Sequence, residues 1–470
     1  MRRIRPSLLM IVWLAAMAAP AVRAQEQPSG QPPAMQSTDE NEATDMNGNT
    51  LTPDTRSLAG VQTISLGVPA LQHSYWQPSF NAVVAGDSSP LLTPGSSSWT
   101  SWTTLLGSVD VRAVSGRSDF TLDYVGGGSL SNDATVQNAI VQEAQLGERI
   151  SGRRVSLAFL DQALYIPETS FGYGGLSALS LPGGAVLGVQ PSLVPSETIL
   201  SARGQRLINS SLVEIDALVT HRLTFTVAGG YALLHYYNDD PLDFNNAIGQ
   251  AGLSFDLSRH DAIGLVYRYN SYRFPNGDET LIGHIGELTY GRRVTGKLAF
   301  EIGGGAEYAI FRLPGLPSTV TSWPNSVYWI ADGSLSYALR RTVMTLGYDH
   351  GVAGGSGVLS GALGDTVTGS VSSQFSRTLR GDFTGGYARS SELSIVSSTK
   401  STSSPTFDYF FGTAGLTRPW GRNMTISLGY LVQYQSTSAT YCIGTACGTS
   451  ILRHQISLGF NVHTRPYAIE

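Results

Sequence analysis

Over 470 residues the chain carries only 14% charged side chains but 53 glycines, and its mean hydropathy is −0.01. Soluble globular domains typically have about 25% charged residues, so this balance argues against a soluble enzyme. The net charge of −5 leaves no basic footprint for nucleic acid. The eight histidines are scattered without metal-ligand spacing, and neither metal nor cofactor is expected.

The chain opens with Arg2, Arg3 and Arg5, an apolar run over Leu8–Val22, and Val22-Arg23-Ala24 before Gln25. This is the pattern of a secretory signal peptide over residues 1–24. The apolar run falls short of the about 20 residues that a membrane-spanning helix needs. Residues 25–74 read as an irregular segment. Gln25–Thr55, rich in Gln, Pro, Asn and acids, has the composition of a disordered tail, and Leu58–Leu71 is more apolar.

From residue 75 onward the pattern changes to period two. In Met424–Tyr434 every second residue (Met424, Ile426, Leu428, Tyr430, Val432, Tyr434) is apolar, while Thr425, Ser427, Gly429 and Gln433 lie between. A strand sends alternate side chains to opposite faces, so such a stretch has a greasy side and a wet side. A weak first strand at Trp76–Ala85 is followed by a loop at Asp87–Ser98 and strands at Leu105–Val114 and Asp119–Val125. Hairpins then continue at 137–147/153–165, 206–217/222–237, 244–257/262–274, 280–292/296–311, 326–338/342–353, 364–377/380–392 and 407–416/422–437, with a closing strand at 450–462. Short joints such as Thr220-His221-Arg222 and Arg340-Arg341-Thr342 alternate with long polar ones such as Pro314–Asn325 and Ile395–Pro405. Aromatic residues gather near the long joints: Tyr236 and Tyr237, Tyr269 and Tyr272, Tyr328 and Trp329, Phe407 and Tyr409, and Tyr434. Rings of this kind are most stable at the level of lipid headgroups.

On these residues the chain resembles porin-type outer-membrane β-barrels over 75–470. The expected fold is all-β: a transmembrane antiparallel up-and-down barrel of eighteen strands, with sixteen as the alternative. The tail His463–Glu470, after Ile456, Leu458, Phe460 and Val462, departs from the aromatic ending usual in such barrels. The resemblance implies an outer-membrane channel in lipid, passing small hydrophilic solutes by diffusion. It further implies insertion by the barrel-assembly machinery and either a monomer or a homotrimer. The alternative is a non-conducting barrel that serves as a scaffold or adhesin. No Walker loop, His-Glu-x-x-His or Gly-x-Ser-x-Gly elbow is present. Asp239-Asp240 and Asp349-His350 resemble the acid and imidazole groups of outer-membrane aspartyl proteases, but rim loops are rich in Asp for turn reasons alone.

Three further features stand out. Cys442 and Cys447 are a close pair in the joint Tyr441–Thr449, and in an oxidising compartment such a pair forms a disulfide. Ile166–Gly204 is the longest connection and is unusually apolar, with Phe171, Leu176, Leu181, Leu187 and Leu193. Folding into the lumen would bury it, as the third loop of general porins does; a subunit contact is the rival. Finally, wherever the apolar face of a strand is clear, the opposite residues face the lumen. That rule places Asp110, Arg112, Asp123, Glu214, Asp216, Arg268, Lys297, Glu301, Glu307, Asp332 and Asp349 inside, acids outnumbering bases, and predicts a mild cation preference.

Overall fold

The computed structural model describes residues 74–469, apart from 90–91, 93–98, 134–136, 168–197, 201–203, 238–242, 276–277, 313–323, 394–404 and 444–445, and only the backbone at 357, 439–443 and 446–448. The expected signal peptide and nearly all of the irregular segment lie outside the described residues, as do Asp239 and Asp240.

The strands are β1 (Tyr75–Asp87), β2 (Thr100–Ser115), β3 (Ser118–Ser131), β4 (Ala139–Ser151), β5 (Val155–Ile166), β6 (Arg206–Thr220), β7 (Leu223–Tyr236), β8 (Phe244–Asp256), β9 (Asp261–Phe274) and β10 (Glu279–Arg293). They continue as β11 (Leu298–Arg312), β12 (Asn325–Ala338), β13 (Thr342–Ala353), β14 (Ala362–Ser376), β15 (Leu379–Glu392), β16 (Thr406–Pro419), β17 (Met424–Ile443) and β18 (Ala446–His463), with a two-residue β19 (Tyr467–Ala468). Neighbours in sequence pair antiparallel, and β1 pairs with both β2 and β18. The sheet is therefore a closed barrel of eighteen long strands, the higher of the two expected counts. Closure supplies every wall strand with partners on both sides and removes the open edges that lipid could not hydrogen-bond.

Short turns gather at one end, among them 116–117, 221–222 and 377–378, and the longer connections at the other. The two faces of the wall differ as the period-two pattern requires. Phe80, Leu105, Leu265, Ile302, Leu346 and Phe383 stand exposed on the outside, while Asn81, Thr104, Gln145, Gln250 and Gln433 are buried on the inside.

Three details depart from the sequence reading. β3 does not stop at Val125 but runs on through Gly126-Gly127-Gly128, because the bare Gly127 lets the β2 backbone come close; a Cβ there would overlap the Leu105 carbonyl. The polar tail is tied down as β19, which pairs with the start of β1, and Tyr467 stacks on Trp76 at 4.9 Å. The joint Tyr441–Thr449 is largely strand, since β17 and β18 extend past a register shift between Ser436 and Tyr441 until only 444–445 lie between them.

In that extension Cys442 is the register partner of Cys447. Directly opposed residues of an antiparallel pair have Cα atoms roughly 4.5–5.5 Å apart, inside the roughly 4.4–6.8 Å that a disulfide spans. A Cys442–Cys447 disulfide is the expected outcome. The unreduced, folded protein should show no thiol to an alkylating reagent and two after reduction. Because the enclosed loop is short, its loss should cost at most about 2 kcal/mol of stability.

Candidate functional site

The lumen has two storeys. Near the long-connection end the inward residues are apolar: Trp102 and Leu106 on β2, Val141 on β4, Leu164 and Ile166 on β5, Ile208 on β6, Leu234 and Tyr236 on β7, Phe244, Phe274, Leu281 and Phe311 form one buried cluster. Two smaller clusters, around Ala388, Tyr409, Phe411 and Ile451 and around Ala362 and Phe407, continue it along the opposite wall. The result is an apolar collar inside the mouth. It corrects the reading of the aromatic girdle. Adjacent residues of a strand face opposite ways, so Tyr237, Trp329 and Tyr434 stand outside, whereas Tyr236, Tyr272, Phe407 and Tyr409 are buried within.

Connections fold inward to cover this collar. Leu92, in the β1–β2 connection expected to be a polar loop, is fully buried against Leu200, Tyr409 and Phe411. The β13–β14 connection carries a 3₁₀ turn at Gly355–Gly357. It lies inside the wall: the Tyr236 hydroxyl donates to the Ser356 carbonyl at 2.8 Å, and Leu359 packs with Phe407. From the long β5–β6 connection, residues 198–200 are described. They reach the wall opposite to their own strands. Thr198 and Ser390 of β15 share a hydroxyl hydrogen bond of 2.8 Å, the Ile199 amide donates to Ser356 Oγ at 3.2 Å, and the Leu200 amide donates to Gln435 Oε1 of β17 at 2.6 Å. Gln435 returns a bond from Nε2 to the Leu200 carbonyl at 3.0 Å. These three residues are held inside the wall, while the apolar residues from Phe171 to Leu193 on which the expectation for Ile166–Gly204 rested lie outside the described residues.

Below the collar the inward residues are polar and charged. On β2 and β3, Arg112 makes two bonds of 3.0 Å to Asp123 and lies 3.2 Å from Asp110, a locally balanced group. Asp216 accepts from Thr226 and Ser156, and Glu214 beside it on β6 is buried. The arc from β9 to β13 is different. Glu287, Glu301, Glu307, Asp332 and Asp349 all face inward there, with Arg268, which lies 3.7 Å from Glu287 and donates to Gln250 at 3.1 Å, and with Arg293 at the turn end of β10 on the same face. All but one of the charges assigned inward by parity lie on the inner face of a strand. The exception is Lys297, which sits exposed in the 294–297 turn just before β11.

The Asp349-His350 pair is split by the wall. Asp349 pairs with inward Asp332, whereas His350 faces outward, stacks on Trp329 at 3.7 Å and donates to Asp365 at 2.7 Å. The two side chains cannot act on one water.

Sequence reasoning missed a buried network at the seam between β1, β17 and β18. Arg453 donates from Nε to Asp87 at 2.6 Å and from Nη1 to Gln433 at 3.2 Å, Gln433 donates to the Tyr409 hydroxyl at 2.8 Å, and the guanidinium lies 5.9 Å from the Trp102 ring. Asp87 also accepts from the Ser89 amide at 2.7 Å. Glu143 and Glu287, both inward, were missed as well. The alternation of Ile456, Leu458 and Phe460 already pointed Arg453 inward, but Asp87 was read as loop.

No protein-family model matches the chain, and no curated protein matches it. Among solved structures it is similar to Pseudomonas aeruginosa OpdQ (11% identity, covering 84% of this chain and 100% of that one, TM-score 0.43). It is also similar to Pseudomonas aeruginosa OccK2 (OpdF) in complex with glucuronate (11%, 83% and 100%, 0.44) and to Pseudomonas aeruginosa OpdK with vanillate (10%, 83% and 99%, 0.42).

The seam network yields a stability prediction. Asp87→Asn removes the carboxylate from a guanidinium that is only 1% exposed, and breaking a buried pair from one side typically costs about 3–5 kcal/mol. Urea unfolding in detergent should show a loss of that order. Asp382→Asn, whose partner Arg380 is about one-third exposed, should cost under about 1 kcal/mol.

Proposed function

We propose that the protein is an outer-membrane channel through which small hydrophilic solutes diffuse, narrowed by its inward connections and weakly selective for cations. The observation that carries this is the opposite chemistry of the two faces of one closed wall: apolar side chains outside, a carboxylate-rich lining within. An apolar outer band with a polar interior suits a barrel in lipid that holds water. Delivery by a cleaved signal peptide and insertion by the barrel-assembly machinery belong to the same proposal.

The narrowing comes from residues 198–200 and 354–361, which cross or enter the lumen at the collar. The selectivity comes from the β9–β13 arc, where carboxylates outnumber the guanidinium groups of Arg268 and Arg293. Water and salt screen charge over about 8–10 Å, so the discrimination is mild and depends on ionic strength.

For a homotrimer, with the monomer as alternative, the outer wall offers one supporting feature. Asp161 of β5 points outward and accepts from Ser211 and Asn209 of β6. A carboxylate facing lipid is destabilising, more so towards the midplane, and a contact with another subunit would cover it.

Single-channel recording in planar bilayers tests the channel. Discrete conductance steps are expected, with reversal potentials in a salt gradient showing a cation preference that Glu301→Gln with Glu307→Gln reduces, most strongly at low salt. Gln435→Ala, which frees Leu200 from the far wall, should raise unit conductance. A folded barrel without conductance would overturn the channel and favour the scaffold. A clear anion preference would overturn the selectivity.

A further inference from the structure

We propose that a groove on the outer face of β13–β18, together with the arginines at its turn end, binds an anionic phospholipid. The short turns that gather at one end of the barrel lie at 116–117, 152–154, 221–222, 257–260, 294–297, 339–341, 377–378 and 420–423. Every one of them carries at least one Arg or Lys, and none carries an Asp or Glu. Acids such as Asp256 and Asp261 begin only at the strand ends. A rim of one sign attracts an anionic surface at short range, within a Debye length.

The rim alone would suit any anion, whereas the groove beside it suits a hydrocarbon chain. It has a volume of about 680 Å³, within the roughly 300–1,000 Å³ of small-molecule sites. Its floor is a row of small residues in register: Thr342 pairs with Ser373, and Ser373 with Gly381. A Cβ on Gly381 would collide with the Phe375 ring, so the bare glycine lets that ring lie across the turn side of the groove. One row further from the turns, Phe383 and Tyr430 flank Ala414. The only charged residue of the lining, Asp382, is held by Arg380 at 3.2 Å.

Three arginines stand where the groove meets the rim. Arg341 immediately precedes Thr342, Arg377 follows Phe375 by two residues, and Arg418 alternates with Ala414 and Leu416 on the outer face of β16. All three are exposed, and none forms an ion pair among the described residues. Trp420, in the turn that follows Arg418, is 64% exposed, an amphipathic ring of the kind that is stable at headgroup level. A guanidinium holds phosphate through paired N–H donors. With an acyl chain in the groove, the phosphate of the same molecule meets these arginines. Phosphatidylethanolamine adds an ammonium that they repel, and phosphatidylglycerol does not. The inference rests on the reading of the outer wall as lipid-facing, not on conductance.

Native mass spectrometry of the full-length protein in detergent, with added dioleoyl phosphatidylglycerol or dioleoyl phosphatidylethanolamine, tests it. One phosphatidylglycerol should be retained per barrel, at least tenfold more tightly than phosphatidylethanolamine. Combined Arg341→Gln, Arg377→Gln and Arg418→Gln should abolish that preference, and Ala414→Phe, which fills the groove, should weaken both lipids. Combined Arg117→Gln, Arg153→Gln and Arg154→Gln, on turns away from the groove, should leave retention unchanged. Retained heat-modifiable migration in gels shows that each variant is folded, and should one groove variant fail to fold, the other decides. Equal retention of the two lipids, or wild-type retention in the folded groove variants, would overturn the site. An equal loss in the Arg117 variant would overturn it in favour of a diffuse rim, and displacement by millimolar inorganic phosphate in favour of a plain anion site. Bilayer recording separates the two proposals. Conductance without a phosphatidylglycerol preference overturns the site alone, and the preference without conductance overturns the channel alone.

Discussion

The constraint on which the structure depends is the hydrogen bonding of a backbone with no water beside it. In hydrocarbon each unpaired amide costs several kcal/mol, so a β-structure that spans lipid must close. Here closure comes from β1, the strand with the weakest sequence signal, which is zipped to β18 from Ser79 through Asp87 and to β2 along its full length. Once the ring is closed, each wall side chain has two choices, in or out, and a step of one residue exchanges them. The collar, the charged lining and the outer band all follow from that binary choice.

The same rule explains what could be read from the sequence. Where the lumen is polar, alternation is clean, and the parity of Phe300 and Ile302 puts Glu301 on the inner face of its strand, as that of Val109 and Val111 puts Asp110 and Arg112. Where the collar begins, both faces are apolar and the period of two disappears. In β10, Leu281 belongs to the collar and Ile285 is buried on the same face, while Ile282 and Leu288 lie on the opposite face. Glu287 sits at the end of that ambiguous run and escaped notice. Glu143 follows Val141 of the collar and Ile140 of the outer band for the same reason. Lys297 fails differently. Parity holds only along a strand, and this residue precedes the first ladder pair of β11.

Tertiary placement of the connections was only partly legible. Composition signalled that Ile166–Gly204 is too apolar for water, and residues 198–200 do lie inside the wall. The β13–β14 connection gave no such signal. Its residues Gly354, Gly355, Ser356 and Gly357 look like an ordinary exposed turn. It enters the lumen because β12 and β13 pair only as far as Ala331 and His350. Beyond that point the end of β13 is released from β12 but stays paired with β14 through Ala353, and Gly354 approaches the Phe244 ring where a Cβ would not fit. A gap in a ladder is a property of two strands together, and neither strand shows it alone.

The two storeys of the lumen impose opposite demands. The collar gains from excluding water, because burying apolar area stabilises by about 25 cal/mol per Å². The β9–β13 carboxylates below it gain from keeping water or cations nearby, since a buried charge without a partner costs several kcal/mol. Arg453 and Asp87 show how a charge is accommodated at the level of the collar: each is fully paired, and the guanidinium lies over Trp102. Just beneath, Glu287 has Arg268 only at 3.7 Å, and Glu307 accepts no side-chain hydrogen bond. The step from apolar to acidic lining therefore divides a level of the wall stabilised by excluding water from one stabilised by keeping water or counter-charge beside its carboxylates.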